Sequence, residues 1–238
     1  MSAFFQIHRG LPREGPGDAA SIAWAAGMAG LRRDGTVLDA GCGPGADIPA
    51  LLAAVPQGEV HAVDLHPPFA QVARARFGHD PRVRVEVADF TTLAQGAGRY
   101  DLIWSAGAVY LPGLAPSLLA FRPMLKPGGR VAFTDACWLG EDRPAAAAGF
   151  WAREYPAMPD LPALQASIGA CGFRVLGHRT LGPAAWEAYY RPLEARLDAL
   201  EPGADAEMAE AIAAHREEIA VWRAHGDAFG YVLFVVAP

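Results

Sequence analysis

Val37-Leu38-Asp39-Ala40-Gly41-Cys42-Gly43-Pro44-Gly45-Ala46-Asp47 decides how the rest of this 238-residue chain is read. An apolar run suited to a strand meets three glycines at alternate positions, and a helical pattern then begins. Glycines at such a turn let backbone approach a ligand closely. By itself the loop is ambiguous. Gly41, Gly43 and Ala46 satisfy the G-x-G-x-x-G/A dinucleotide fingerprint, while Gly41, Gly43 and Gly45 satisfy a G-x-G-x-G pattern as well. A glycine-rich turn with no ligand is the third reading.

Working outward, short β-type runs at 36–40, 59–64, 82–87, 100–105 and 130–135 are each followed by a helical stretch. That alternation predicts a parallel sheet covered on both faces, joined by right-handed crossovers. The first twenty residues read as loop, with Pro12 to Gly17 as punctuation, and a helix over 18–32 follows, capped by Asp18 or Ser21. Beyond Asp135 a helix near 161–171 stops at Gly172, then strands are expected at 173–180 and 231–237. Residues 181–229 form a long insertion between them. In its second half Met208, Ile212, His215, Ile219 and Trp222 share one helical face. The fold class is therefore α/β: a single domain over 1–238, Rossmann-like, with a seven-stranded sheet parallel except for the last strand. Helices cover both faces, and a helical insertion precedes the last strand.

Composition narrows the function. Hydrophobic residues are 52% and charged residues 19%, enough for a sizeable core. A formal net charge of −6 argues against tracking nucleic-acid phosphates. Three scattered cysteines, Cys42, Cys137 and Cys171, suit neither a disulfide framework nor a metal site, so a cytoplasmic compartment and no metal are expected. No apolar run reaches the roughly 20 residues of a membrane span. The stretch from Ser21 to Leu31 runs into Arg32-Arg33 and the glycine loop, and reads as a buried helix rather than a signal core. Oligomeric state leaves no mark on the sequence.

The carboxylates at strand ends separate the readings of the loop. Asp39 precedes the glycines, where it repels a pyrophosphate but suits a ligand bearing an ammonium and a sulfonium. Asp64 ends the second strand, where an acid accepts from ribose hydroxyls in either cofactor. Asp89-Phe90 follows the third and offers an acceptor and a flat apolar surface, the two contacts an adenine needs. With Tyr100-Asp101-Leu102-Ile103-Trp104 and Leu125-Lys126-Pro127-Gly128-Gly129-Arg130-Val131, these segments resemble, in order, the motifs of class I S-adenosylmethionine-dependent methyltransferases of the small-molecule type. The resemblance implies that Asp39, Gly41, Cys42, Gly43 and Gly45 hold the methionine end of S-adenosylmethionine. It further implies that Asp64 holds the ribose, that Asp89 and Phe90 hold the adenine, that Leu65 also touches the cofactor, and that Ser105 faces the methyl. The product would be S-adenosylhomocysteine, and the 126–129 turn would be structural.

A sulfonium is already an activated donor, so the protein chiefly aligns the acceptor, and no metal is required. Acceptor candidates are the polar and aromatic residues expected at the carboxyl ends of the strands and in the added segments. They are Arg13, Tyr110, Trp138, Trp151, Tyr155, Trp186 and Tyr189, with Tyr190 and Asp135 nearby. Tyr110 is the candidate for acceptor positioning. His66, His178 and His215 are titratable near neutrality but read as ordinary structural residues. Residues 1–17 are read as a lid, with Arg13 suited to an anionic acceptor; a frayed terminus is the alternative. The expected function is methyl transfer to a small-molecule acceptor, with no nucleic-acid or membrane partner. A nicotinamide-dependent, NAD(P)-type oxidoreductase and a non-catalytic S-adenosylmethionine-binding protein are the rivals.

Overall fold

Side chains alternate across a strand, so strands that are apolar at successive positions must be covered on both faces. The computed structural model describes residues 2–93 and 98–238. Its strands are β1 (Thr36–Ala40), β2 (Glu59–Asp64), β3 (Val83–Val87), β4 (Tyr100–Ser105), β5 (Leu125–Trp138), β6 (Arg174–Thr180) and β7 (Phe229–Ala237). Among the described residues they form one seven-stranded sheet of order β3-β2-β1-β4-β5-β7-β6, in which β7 alone runs opposite to the other six strands. Leu38, Ile103 and Phe234 enter one core, and their neighbours Val37, Leu102 and Val235 enter the other.

Helices α2 (Ala19–Ala29), α3 (Ile48–Ala54) and α4 (Pro67–Phe77) cover the Val37 face through Ile22, Leu51 and Ala70. Helices α5 (Leu114–Phe121) and α7 (Leu161–Ala170) cover the other through Phe121 and Ile168. Asp18 caps α2 by accepting from Ser21 N at 2.7 Å. The helix stops at Ala29 rather than near Arg32, because Gly30 adopts a left-handed conformation at φ 62°. Strand β5 is longer than its expected six residues. Leu125 already pairs with Tyr100, and Trp138 is held in register with Phe229 of β7.

Above the carboxyl edge of the sheet lies a third cluster. It contains α1 (Ala3–Ile7), α6 (Ala145–Glu154), α8 (Pro183–Leu200) and α9 (Ala206–His225), with Trp186, Leu193, Ile212 and Trp222 buried. A short helix thus stands where the sequence pattern reads as loop, since Ala3, Ile7 and Leu11 bury their side chains in this cluster. Polar ties reinforce the docking: Gly17 N donates to Ala185 O at 3.2 Å and Arg196 Nη2 to Gln6 O at 2.9 Å.

A polar chain also links residues 8–14 to α9. His8 Nδ1 lies 2.5 Å from Glu14 Oε2, His8 Nε2 lies 3.1 Å from His215 Nε2, and His215 Nδ1 lies 2.7 Å from Ala211 O. A carbonyl only accepts, so His215 donates to it from Nδ1. With a neutral His8 ring, Nδ1 accepts and Glu14 donates to it as a carboxylic acid. Burial favours the same assignment. It pushes Glu14 up to about 8, with the charge of Asp64 adding, and draws His8 down to about 4.

Two outcomes are expected. Phe133 is fully buried with its ring stacked 5.6 Å from that of Phe234, so Phe133→Ala should cost about 3–5 kcal/mol in urea unfolding. A loss under about 1 kcal/mol would mean that the core is not closely packed there. The second concerns pH. Glu14 holds its proton to about pH 8 when folded against 4.5 ordinarily, so its contribution is present below pH 4.5 and is lost as pH rises to 8. His8 acts oppositely, losing its contribution as pH falls from 6.5 to about 4. Between pH 6.5 and 8, stability should therefore decline, and Glu14→Gln should flatten the decline. Equal slopes in the two proteins would contradict a protonated Glu14.

Candidate functional site

The turn after β1 is built by glycine geometry. Gly41, Gly43 and Gly45 have φ of 82°, 53° and 84°, a region that disfavours side chains. A Cβ on Gly41 would meet Ala108 Cβ at 2.5 Å, so the two loops can approach only because that atom is missing. Gly41 N and Cys42 N both donate to Val63 O at 2.9 Å, and Gly43 N donates to Asp64 Oδ2 at 2.8 Å. The loop after β1 is thereby pinned to the end of β2.

These loops form the floor of a cavity of about 740 Å³, within the range of small-molecule sites. Its floor presents Asp39, Asp64, Leu65, Asp89 and Phe90 beside the glycine backbone. Asp39 is 2% exposed, and its Oδ2 has no hydrogen-bond partner among the described residues. Burial raises its proton affinity, and the charges of Asp47 and Asp64 raise it further. A cationic ligand group would relieve that arrangement. Asp64 is aimed by two amides, Gly43 N on Oδ2 and His66 N on Oδ1, both at 2.8 Å. Burial raises its pKa, and those amides oppose the rise. Asp89 Oδ1 is fixed by Thr91 N at 2.8 Å and Thr91 Oγ1 at 2.7 Å. Phe90 rests on Phe121, ring centroids 5.3 Å apart. The thiol of Cys42 is pushed well above its ordinary value by burial, which leaves it unreactive beside the backbone. The floor fits a nucleoside with a cationic tail: an adenine beside Asp89 and Phe90, a ribose at Asp64, and an ammonium near Asp39.

The roof comes from the third cluster. Trp151, Trp186 and Tyr189 line the cavity, and Tyr110, 39% exposed, lies on its rim after β4. Four expectations differ from this placement. Ser105 is fully buried, donates to Ala40 O at 2.8 Å, and does not line the cavity; it ties β4 to β1. Trp138 lies within β5, packed edge-on to Phe229 at 6.1 Å and beside the Arg143 guanidinium, away from the cavity. Tyr155 sits behind Tyr110, ring centroids 6.1 Å apart. Arg13 does line the cavity, but its guanidinium donates to Asp47 Oδ1 at 2.8 Å and Gly15 O at 3.0 Å. Asp47 Oδ2 in turn accepts from Trp104 Nε1 at 2.9 Å. Arg13 is thus a structural cation, not a free one for an anionic acceptor.

Glu154, Glu218 and Tyr231 line the cavity without being singled out in the sequence, and His8 and Glu14 figure there only as members of the segment read as a lid. For Glu218 a signal existed. It falls three residues after His215 and four before Trp222, a carboxylate on the otherwise apolar face of α9. Its oxygen accepts from Tyr190 Oη at 3.0 Å. His66 lines the cavity at the start of α4, while His178 is exposed on β6 and does not. No group of three or more His, Cys, Asp or Glu suited to a metal ion occurs among the described residues. Nor is any helix among them long and apolar enough to cross a membrane.

Residues 37–129 match the family model described as a methyltransferase domain. The chain is 32% identical over 182 residues to a trans-aconitate 2-methyltransferase of Methylobacterium radiotolerans, covering 74% of this chain and 64% of that protein. It is 38% identical over 106 residues to a malonyl-[acyl-carrier protein] O-methyltransferase of Pseudescherichia vulneris, covering 44% of this chain and 40% of that one. The chain spans 30% to 64% of the length of the curated relatives it matches. Its fold is similar to that of a SAM-dependent methyltransferase from Geobacter sulfurreducens solved with S-adenosyl-L-homocysteine. The TM-score is 0.81 at 20% identity, over 99% of this chain and 97% of that one. A second such structure, from Thiobacillus denitrificans, gives a TM-score of 0.80 at 20% identity over 100% and 99% of the two chains. The matched methyltransferase domain contains the glycine loop with Asp39, Asp64 and Asp89, and the chain as a whole is similar in fold to SAM-dependent methyltransferases.

Proposed function

We propose that this chain transfers the methyl group of S-adenosylmethionine to a small-molecule acceptor held between the sheet edge and α6, α8 and α9. The observation that carries the reading is the glycine cradle with the unpaired oxygen of Asp39 beside it. A dinucleotide would bring its pyrophosphate against that buried carboxylate, whereas a sulfonium cofactor with an ammonium brings the opposite charge. When bound, the cofactor supplies an activated methyl group. The chain's own residues do the rest. Asp64, oriented by Gly43 N and His66 N, keeps lone pairs for a ribose diol. Asp89 and Phe90 accept and stack an adenine. Segment 2–17 closes the side of the cavity through His8 and Glu14, which excludes water from the transfer. Tyr110 at the rim positions the acceptor.

The cavity walls and the net charge of −6 support a small-molecule acceptor over a nucleic acid. Three cysteines without disulfide partners support a cytoplasmic location.

Calorimetric titration with S-adenosylhomocysteine tests the reading. Micromolar binding, about −8 kcal/mol, is expected for the wild type. Asp64→Ala and Asp89→Ala should each weaken it by roughly 1.5–3 kcal/mol. A folded wild type whose melting temperature rises with NAD and not with S-adenosylhomocysteine would support the oxidoreductase instead.

A further inference from the structure

The cavity carries a chemical bias that reaches beyond its floor. Eight of its lining side chains are carboxylic: Asp39, Asp47, Asp64 and Asp89 from the sheet edge, and Glu14, Glu154, Glu217 and Glu218 from the covering segments. Against these stands one permanently charged cation among the described lining residues, Arg13, already bound to Asp47. Glu217 has Arg153 as a partner. Glu218 has no lysine or arginine partner among the described residues; it accepts from the neutral Tyr190 and faces His215. A carboxylate shielded from water without a cation is costly, and burial raises the pKa of the half-buried Glu218. The aromatic rings point the same way. Trp186 is fixed by stacking on Trp222 at 5.2 Å, and Tyr231 stands at 63° to it, also at 5.2 Å, so the two rings make a corner of the cavity wall. Ring faces beside a carboxylate are the surroundings that attract a substituted ammonium.

Resting on the methyl-transfer reading, we propose that the methyl acceptor is the nitrogen of a small amine, bound between the Trp186–Tyr231 corner and the Glu218 carboxylate. The amine arrives as an ammonium and gives a proton to Glu218, which frees the nitrogen lone pair. That pair forms the new N–C bond as the C–S bond breaks, and the electrons of the C–S bond return to sulfur as a neutral thioether. The product is the N-methylammonium ion, and Glu218 releases its proton to solvent. The same cavity is a poor host for a polycarboxylate, because its guanidinium is taken and its remaining charges repel. In this the chain departs from the acceptor named for its Methylobacterium relative.

The test is titration of the protein saturated with S-adenosylhomocysteine, using benzyltrimethylammonium and tetramethylammonium as cationic probes and trans-aconitate as the anionic one. At least one cation should bind and trans-aconitate should not. Glu218→Gln keeps an acceptor for Tyr190 and should weaken the cation about tenfold, while leaving S-adenosylhomocysteine affinity unchanged. Glu154→Gln, at an exposed position that cannot disturb the core, should weaken it about twofold to threefold. Binding of S-adenosylhomocysteine together with trans-aconitate, or with neither cation, would overturn the amine assignment alone. So would equal cation affinity in wild type and Glu218→Gln. Failure to bind S-adenosylhomocysteine would overturn the methyl-transfer reading, and the amine with it.

Discussion

Three hydrogen bonds donated by backbone amides tie the loop after β1 to the end of β2: Gly41 N and Cys42 N to Val63 O, and Gly43 N to the Asp64 side-chain carboxylate. Everything in the site is placed relative to this knot. It forces the positive φ values that only glycine takes without strain, and so fixes the path of the backbone past Asp39. It also fixes one oxygen of Asp64, so the direction of the acid is preset and a ligand bonded there would cost it little entropy. Without Cβ atoms the loop can lie against Ala108, which brings the segments after β1 and β4 within reach of one ligand.

The sheet edge supplies a cradle but no cover, and the cover comes from segments far apart in the chain. Helices α8 and α9 bury Trp186, Tyr190, Leu193 and Trp222 among themselves, and α1 completes that cluster from the other end of the sequence. The polar chain from Glu14 through His8 to His215 crosses the same boundary. Glu14 and His8 stay neutral by sharing one proton, which avoids burying a bare charge. The Arg13–Asp47–Trp104 contacts anchor the segment's other end to the sheet. A cavity assembled in this way is acidic where it is polar and aromatic where it is not.

The sheet, and the meeting of Asp39, Asp64 and Asp89-Phe90 in one cavity at its edge, were legible in the sequence because their signals are local. Asp39, Asp64 and Asp89-Phe90 each follow a short apolar run directly, and strand ends on one edge of a parallel sheet converge. What failed to be legible depends on register or on distance. Ser105 ends a strand too, but its side chain points at Ala40 O rather than into the cavity, and one strand read alone does not reveal its facing. Trp138 was expected in a loop. The pairing of β5 with β7 runs three residues further than the apolar pattern suggests, and carries it into the sheet. Arg13 finds its partner 34 residues away, and Glu218 acquires its meaning only when α9 folds over the sheet edge.

The central claim is that this floor receives a nucleoside in one orientation, with its charged tail toward the glycine loop. A crystal structure with S-adenosylhomocysteine tests it most directly. The account predicts the ribose diol on Asp64, the adenine against Phe90 with its amino group toward Asp89, and the amino-acid end beside Asp39 and Gly41. The sulfur should open toward Tyr110 and Trp186. A nucleoside bound in the reverse direction, or seated away from Asp39 and Asp64, would contradict it.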